Sequence, residues 1–588
     1  MVPRATTGDD MLIRLLEGAL RRRRLASGQV DMILHRADAL ETAGKLRDAE
    51  SAYREALALD PGNAVAWNNL GWALQRLEQL DKALDAYQQA LANDPELLIA
   101  RNNVGTIHRL RGNLDLARSE YEAALLSAPE DAQTRINLAT VLLKQGETES
   151  ALQCFRELVN LAPQIDDVMR AFLMALNHLS GVDPAEAFAY YRVWGQRCAA
   201  RIRRRWPRRE WDSERRLRIG YVSPDFRAHA MSSFIEPLLA HPNSAAIEIF
   251  CYDNSPASDA VTARLRGYAV SWREIRGVDD DTAADMVEQD GIDILVDLAG
   301  HTSGERLELF ARSPAPVQVS FLGYLNTTGL DAIDYRITDA WEDPPGISDR
   351  YHVERLWRLP GSSWCFRPPE DAPEIVPLPA LESGHVTFGS FNNFTKLNHS
   401  VTEAWIRLLE RCPACRLLLS GAPEGETRVR FAARFTARGI DASRIEFVGR
   451  LPLPEFRALH GRVDIALDPF PYAGGATTCE SMWMGVPVVT LAGAFGFART
   501  GVSLLQAVGL ESLVAQDVAE YVEVAARLAA DLPALRELRE TLRTRMRHGE
   551  LTDGTRFAAK LDAAYRGIWR TRCGVNRDQP WNAPLPAG

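Results

Sequence analysis

The 588-residue chain contains no uninterrupted apolar run approaching the roughly 18 to 20 residues that span a bilayer. Its opening, MVPRATTGDDMLIRLL, carries acids where a signal peptide carries an apolar core, so a cytoplasmic protein is expected. Cysteine is sparse, with eight residues and no dense framework, which excludes a disulfide scaffold and fits a reducing compartment. The close pair in CPAC, Cys412 and Cys415, lacks the second pair or neighbouring histidines of a structural zinc site and reads as turn chemistry after a helix. An excess of positive charge is also missing. Against 68 basic residues stand 78 acidic ones, a formal net charge of −10, so wholesale affinity for nucleic acid is not expected. The composition, 46% hydrophobic and 25% charged, is that of a soluble globular protein. One hydrophobic core stops growing near about 250 to 300 residues, so this length implies about three compact units.

What is present begins with a repeat. Prolines fall at 61, 95, 129 and 163, each 34 residues after the last, and ALALDP, ALANDP and ALLSAP precede the first three. Within a unit, two apolar patterns at helical spacing are joined by a turn, with Trp67, Leu70, Gly71, Ala83 and Tyr87 where paired helices must approach closely. Gly71 and Gly105 are the small residues, and Ala139 follows in the next unit. The pattern resembles the tetratricopeptide repeat and implies an α-solenoid over 31–165, after an N-terminal tail or helix at 1–30. Residues 166–213 read as a degenerate capping repeat and the basic connector RIRRRWPRREWDSERR, whose charges are expected to be solvated. Asn69, Asn103 and Asn137 also recur at 34. An amide donates and accepts, so this register suits a ladder gripping an extended peptide backbone, with polar helix packing as the alternative.

From Leu217 the texture changes to short apolar runs alternating with amphipathic helices: LRIGYVS, EIFCYDN, DILVDLAG and VQVSFLG, then HVTFGSFNN, RLLLSG, IEFVG, DIALDPF and VPVVTL. Alternation of this kind predicts two largely parallel α/β sheets. One lobe is expected over 214–372 and a second over 373–572, with the proline-rich 366–384 at the joint and a tail at 573–588. Ligands bind outside the carboxyl ends of parallel strands, and the chemically rich residues cluster there. In DPFPYAGGATTCESMWMGVPVV, Gly474 and Gly475 permit close backbone approach. Thr477 and Thr478 can present hydroxyls while opening a helix whose free amides suit a phosphate, and Glu480 is placed to accept two ribose hydroxyls. Neither G-x-x-x-x-G-K-S/T nor G-x-G-x-x-G occurs in that stretch, so neither a phosphate-transfer loop nor a dinucleotide fingerprint is supported. No acidic D-x-D loop stands at a strand end as a divalent-ion site, and DDD at 279–281 reads as a helix cap and first turn. Charge on a departing diphosphate must then be met by the protein, and Lys396 after VTFGSFNN is the candidate cation. His229 is a candidate to orient substrate or accept a proton, with a helix cap as the alternative; His301 in LAGHT is a weaker cleft candidate, balanced against a packing role; and Arg499 is placed to meet phosphate or acceptor, or to form a surface ion pair.

The stretches GYVSPDFRAHAMSSFIEP, GIDILVDLAGHT, PAPVQVSFLG, VTFGSFNNFTKLN and DPFPYAGGATTCESMWMGVPVVTLAG, behind such repeats, resemble the protein O-linked N-acetylglucosamine transferases and the related SPINDLY-type proteins. That resemblance covers about 31–570. It implies an inverting, metal-independent GT-B glycosyltransferase with two Rossmann-like lobes, needing no cofactor, with UDP-N-acetylglucosamine as donor and serine or threonine hydroxyls of proteins as acceptors. It places the family's cleft histidine on His229, the diphosphate lysine on Lys396, the adjacent amide on Asn393, the ribose carboxylate on Glu480, and an acid proposed to influence catalysis on Asp285. The phosphate-binding turn falls on Gly475, Ala476 and Thr477. Two departures stand out: a glycine where the family's human-type members have a histidine in that turn, and Leu325 in LGYLNTTG where proline is usual. NTTGLDAIDYRITD, FNNFTK and TCES are SPINDLY-like, which leaves GDP-fucose as the alternative donor. A repeat scaffold that binds a nucleotide sugar without turnover, and transfer to asparagine or to a small molecule, are the rival functions. Oligomeric state is left open, with a homo-oligomer among the alternatives.

Overall fold

A computed structural model describes residues 28–161, 165–205, 212–241 and 245–574. Pro163, most of the 1–30 tail, the middle of the basic connector (206–211) and nearly all of the 573–588 tail lie outside the described residues. The described chain divides into two compact units, one within Met1–Leu142 and Pro423–Thr427, the other within Leu143–Ala422 and Arg428–Gly588.

The first unit is an array of paired helices: 28–42 with Leu46–Leu59, Ala64–Arg76 with Leu80–Asn93, Leu98–Leu110 with Leu114–Ser127, and then Ala132–Lys144. The 34-residue period is visible in its joints. Trp67 Nε1 donates to the Pro61 carbonyl at 2.9 Å, Arg101 Nη2 to that of Pro95 at 2.9 Å, and Arg135 Nε to that of Pro129 at 2.7 Å, so each proline turn is tied to the helix that follows it. The turns inside helix pairs need a left-handed residue, supplied by Gly44 at φ 74° and Gly112 at φ 81°. Glu78 occupies the same register at φ 61°, a conformation that costs a side-chain-bearing residue about 1 kcal/mol. Helix pairs close on a glycine. A Cβ on Gly71 would stand 2.6 Å from the buried ring of Tyr87, and one on Gly105 would stand 2.6 Å from that of Tyr121.

The second unit holds two parallel sheets. In the first, β1 (Leu217–Ser223), β2 (Ile247–Asp253), β3 (Ser271–Glu274), β4 (Ile294–Asp297), β5 (Val317–Ser320), β6 (Tyr335–Asp339) and β7 (Arg355–Leu359) run in the order β3-β2-β1-β4-β5-β6-β7. In the second, β8 (Thr387–Ser390), β9 (Arg416–Ser420), β10 (Ile445–Val448), β11 (Ile465–Leu467), β12 (Val488–Leu491) and β13 (Val514–Ala515) run β10-β9-β8-β11-β12-β13. Strand order reverses direction between β1 and β4 and again between β8 and β11, and crevices for ligands open at the carboxyl ends of such pairs. Asp279 caps the helix Asp280–Asp290 through the Thr282 amide at 2.9 Å, as the DDD run predicts.

The structure departs from the expected boundaries in two places. The helices Thr148–Leu161, Asp166–Leu176 and Pro184–Arg201 cluster with the sheets because their last faces pack there. Arg170 Nη1 pairs with Glu305 at 2.8 Å, Asn177 Nδ2 donates to Tyr324 Oη at 3.1 Å, and a Cβ on Gly195 would fall on the Gly329 carbonyl. The final helix, Gly554–Arg572, returns to the first lobe. Tyr565 Oη meets Tyr221 Oη at 3.1 Å, and a Cβ on Gly567 would touch the Trp357 ring at 2.8 Å. Among the described residues no helix is long and apolar enough to cross a membrane.

Candidate active site

The site is built where β8 and β11 end side by side. After β8, Asn392 is buried and the chain enters a short turn, Phe394–Lys396, that Asn393 caps by accepting the Thr395 amide at 3.1 Å. After β11 come buried Asp468, half-buried Tyr472, buried Ala473 and the two glycines, and the helix Ala476–Trp483 starts at Gly475 with no side-chain cap. Cys479 N donates to Gly475 O at 3.0 Å, which leaves the amides of the first turn to other partners. Gly474 is required by crowding, since a Cβ there would lie 2.6 Å from both Thr477 Oγ1 and Thr478 Oγ1 and 2.7 Å from Asp468 Oδ1. At Gly475 the nearest atoms are 3.8 Å away.

Lys396 reaches across this gap. Its Nζ donates to the Ala473 carbonyl at 2.8 Å and to Asn392 Oδ1 at 3.4 Å, and it lies 4.3 Å from the centre of the Tyr472 ring. Asn392 Oδ1 also accepts from Thr477 Oγ1 at 3.0 Å. Asp468 Oδ1 accepts from Gly474 N at 2.6 Å and from Asn392 Nδ2 at 3.4 Å, while Oδ2 accepts from Thr490 Oγ1 at 2.9 Å. Burial lowers the ammonium of Lys396 to about 8, with Asp468 opposing the shift. Burial likewise raises Asp468 to about 6 against the pull of Lys396. A cation at a strand end, a crowded glycine and a helix opening therefore converge on one space, and together they can carry the negative charge of a diphosphate.

Lys396, Gly474, Gly475, Ala476, Thr477 and Thr478 are thus brought together, with Thr478 Oγ1 buried and unpartnered among the described atoms. Glu480 lies one turn into the helix, half-buried, its carboxyl raised by burial with Arg457 opposing. Arg499 Nε donates to the Trp341 carbonyl at 2.8 Å and Nη1 to that of Gly493 at 3.3 Å, so its guanidinium ties β6's trailing loop to the second lobe and is no surface ion pair. His229 is exposed in the turn before the helix Ser232–Ala240. Met231 N donates to its Nδ1 at 3.3 Å, Asp225 Oδ1 stands 3.4 Å from the same nitrogen, and burial lowers the imidazole with Asp225 opposing.

Two expectations are corrected. His301 is not a cleft residue: it is 3% exposed, its Nε2 meets the Thr328 carbonyl at 2.8 Å, and its ring is packed by Tyr191, Trp194 and Tyr324. Asp285 stands exposed on the helix Asp280–Asp290, paired with Arg205, and the structure does not bring it to the strand ends. In the repeats, Asn69, Asn103 and Asn137 are half-exposed and in register, but a second row lies behind them. Asn103 Nδ2 donates to buried Asn68 at 2.9 Å, Asn137 Nδ2 to buried Asn102 at 3.4 Å, and Asn68 Nδ2 to Asn69 Oδ1 at 3.1 Å. Sequence reasoning does not single out Asn392, Asp468 or Tyr472, although Asp468 follows an apolar strand into the glycine loop, where a strand-end carboxylate is a usable signal. A groove of about 810 Å³ on the second lobe, lined by Leu378, His385, Arg416 and Arg462 among others, opens at the opposite ends of β8 and β9 and holds none of these side chains.

Residues 197–364 and 378–561 match glycosyl transferase family 41, and tetratricopeptide repeats are matched over 30–72, 64–97 and 96–164. The chain is 41% identical over 413 residues to a probable UDP-N-acetylglucosamine–peptide N-acetylglucosaminyltransferase SPINDLY of Solanum lycopersicum, covering 68% of this chain and 44% of that protein. The protein of the same description from Petunia hybrida is 41% identical over 412 residues, again covering 68% and 44%. The chain thus spans under half the length of these curated relatives. Among solved structures, a lysine-to-methionine mutant of the Thermobaculum terrenum O-GlcNAc transferase superimposes with a TM-score of 0.81 at 34% identity, covering 88% of this chain and 99% of that one.

Proposed function

The chain belongs to glycosyl transferase family 41, and on that premise we propose that it transfers N-acetylglucosamine from UDP-N-acetylglucosamine to serine or threonine hydroxyls of polypeptides. The observation that carries this reading is Lys396 Nζ, held 2.8 Å from the Ala473 carbonyl beside an uncapped helix start. The acceptor oxygen attacks the anomeric carbon in line, the bond to the diphosphate oxygen breaks on the opposite face, and the configuration inverts. Negative charge grows on the leaving diphosphate, and the Lys396 ammonium with the amides at Gly475, Ala476 and Thr477 meets it without rearrangement. Glu480 accepts the ribose hydroxyls. His229 orients the substrate at the cleft. Asn69, Asn103 and Asn137 take the acceptor backbone, held at their spacing by Asn68 and Asn102. Among the described residues no cysteine is in a disulfide, in keeping with a reducing compartment such as the cytoplasm.

The named activity of the two plant relatives supports the donor choice, as does that of the Thermobaculum structure. The test is transfer of radiolabelled sugar by the purified full chain to a serine- and threonine-containing peptide library, with UDP-N-acetylglucosamine and GDP-fucose run in parallel. Labelling from the uridine donor is expected. Labelling from GDP-fucose alone overturns the donor assignment, and binding of either donor without transfer replaces the enzyme with a scaffold.

A further inference from the structure

Two adjacent side chains at the end of the helix Asp166–Leu176 go to different lobes. Asn177 belongs to the first: its Nδ2 donates to Tyr324 Oη at 3.1 Å, and its Oδ1 accepts from Tyr191 Oη at 3.3 Å and from Asn326 Nδ2 at 3.4 Å. His178 belongs to the second. Its carbonyl accepts from Asn398 Nδ2 at 3.3 Å, and that same nitrogen donates to the Phe470 carbonyl at 2.6 Å. Its imidazole meets the Tyr472 ring edge-on, with centroids 5.1 Å apart and planes at 61°. Tyr472 is the ring over which Lys396 Nζ lies at 4.3 Å. His178 Nδ1 is buried without a partner among the described atoms.

We propose that His178 is a positioning residue of the transfer site: it closes the wall behind Tyr472, keeps water from Lys396 and so holds the ammonium where the donor diphosphate arrives. The proposal rests on the donor-site assignment above. It gives the capping segment of the repeats a direct part in the site, through its contact with Tyr472 in the loop after β11. Three titratable groups face Lys396, namely Asp468 after β11, Tyr472 in the loop that follows, and His178 from the capping helix. Among the described residues only Asp468 supports the lysine's charge. Burial and the Lys396 ammonium together press the His178 imidazole down to about 3, so it is neutral at every working pH and acts as a polar wall rather than as a second cation.

The chain has five lysines, Lys45, Lys82, Lys144, Lys396 and Lys560, so each methylated amine gives a resolvable signal after reductive methylation with ¹³C-formaldehyde. Loss of one signal in Lys396→Met assigns the site. In the wild-type chain the Lys396 amine titrates near 8. Opening the wall with His178→Ala admits water and moves that titration up to about 9 or beyond, and UDP binds about tenfold more weakly by calorimetry. His178→Phe keeps the ring against Tyr472 and leaves both quantities within about twofold of wild type. His178→Gln, close in volume but without a ring, shifts both in the same direction as alanine and serves if the alanine variant does not fold. A Lys396 titration that stays near 8 in folded alanine or glutamine variants, with UDP affinity intact, overturns the proposal whatever the melting temperature does. If the chain transfers no sugar yet the lysine titration responds to His178, the transferase assignment falls and this one stands.

Discussion

Replacing Lys396 by methionine separates charge from bulk in the proposed site. An ammonium about 4 Å from a diphosphate oxygen, in surroundings of effective dielectric near 20, is worth about 4 kcal/mol. Most of that appears in the transition state, where the leaving group gains its charge, so kcat/KM falls by about three decades at about 1.4 kcal/mol per decade. Two effects on stability oppose each other. Methionine removes an ammonium that burial has depressed to about 8, which stabilises the folded chain at neutral pH, and it also strips Asp468 of the opposite charge. The melting temperature should therefore change by no more than a few degrees, and a steady-state transfer assay with a thermal melt on the same sample reads both quantities.

The pH profile tests the same group without mutation. The active form is the protonated one, and its folded-state value lies below the ordinary lysine value of 10.5. The ammonium is thus mostly present at pH 7 and is lost as pH rises through about 8, so kcat/KM should be flat below that point and fall about tenfold per pH unit above it. Lys396→Met should abolish this alkaline limb together with the activity. A methionine variant retaining activity within about tenfold of wild type, with the limb in place, refutes the assignment of leaving-group charge to Lys396.

Gly474→Ala should cost about 1–3 kcal/mol of stability and most of the UDP affinity, because the new methyl meets three oxygens at 2.6–2.7 Å, whereas Gly475→Ala, with 3.8 Å of space, should keep the melting temperature of wild type. A differential scan of the two variants with and without UDP decides it, and equal behaviour would show that the crowding at Gly474 is relieved at no cost. Asp468→Asn removes the one charge that supports Lys396 among the described residues, so the lysine titration should move below 8 and the alkaline limb with it, opposite in sign to His178→Ala. An upward shift would contradict the geometry. In the repeats, Gly71→Ala drives a methyl to 2.6 Å from the Tyr87 ring and should lower stability by about 1–2 kcal/mol in a thermal melt followed by circular dichroism. An unchanged melt would mean that the helix pair opens freely.

How much of the molecule is legible in its sequence follows from where each signal lies. The 34-residue period survives in one dimension because every repeat meets its neighbour through the same residues, so Gly71 and Tyr87, or Pro61 and Trp67, read as pairs from their spacing alone. The inner strands β1, β4, β8 and β11 are buried on both faces and show as apolar runs. By contrast β3 (SWRE), β6 (YRITD) and β7 (RLWRL) carry charges and do not stand out as strands. Arg336 in β6 illustrates why. It is 1% exposed, with Nη1 on the Tyr324 carbonyl and Nε 3.7 Å from buried Asp343, and a buried charged partner of that kind has no local pattern. The final helix has an ordinary amphipathic face, and periodicity says that such a face is covered without saying by which lobe.

The same limit explains the site. Lys396 and the Gly474 loop announce themselves because glycine and a strand-end cation are unusual in their own neighbourhoods. Asn68 and Asn69 are adjacent amides of one kind, and only the helix phase decides which turns inward; the inward one, together with Asn102, links the row that faces solvent. His178 lies 218 residues from Lys396, in a segment whose sequence marks it as a worn repeat, and His301 looks the better candidate because it follows a strand. Folding reverses the two: the strand-end histidine is packed among Tyr191, Trp194 and Tyr324, and the worn repeat delivers its imidazole to the ring beneath the lysine. The degenerate capping repeat carries Leu173 at the register of Gly71, Gly105 and Ala139, where another copy would need a small residue, and Asn177 and His178 about one turn further on fit it to the two lobes.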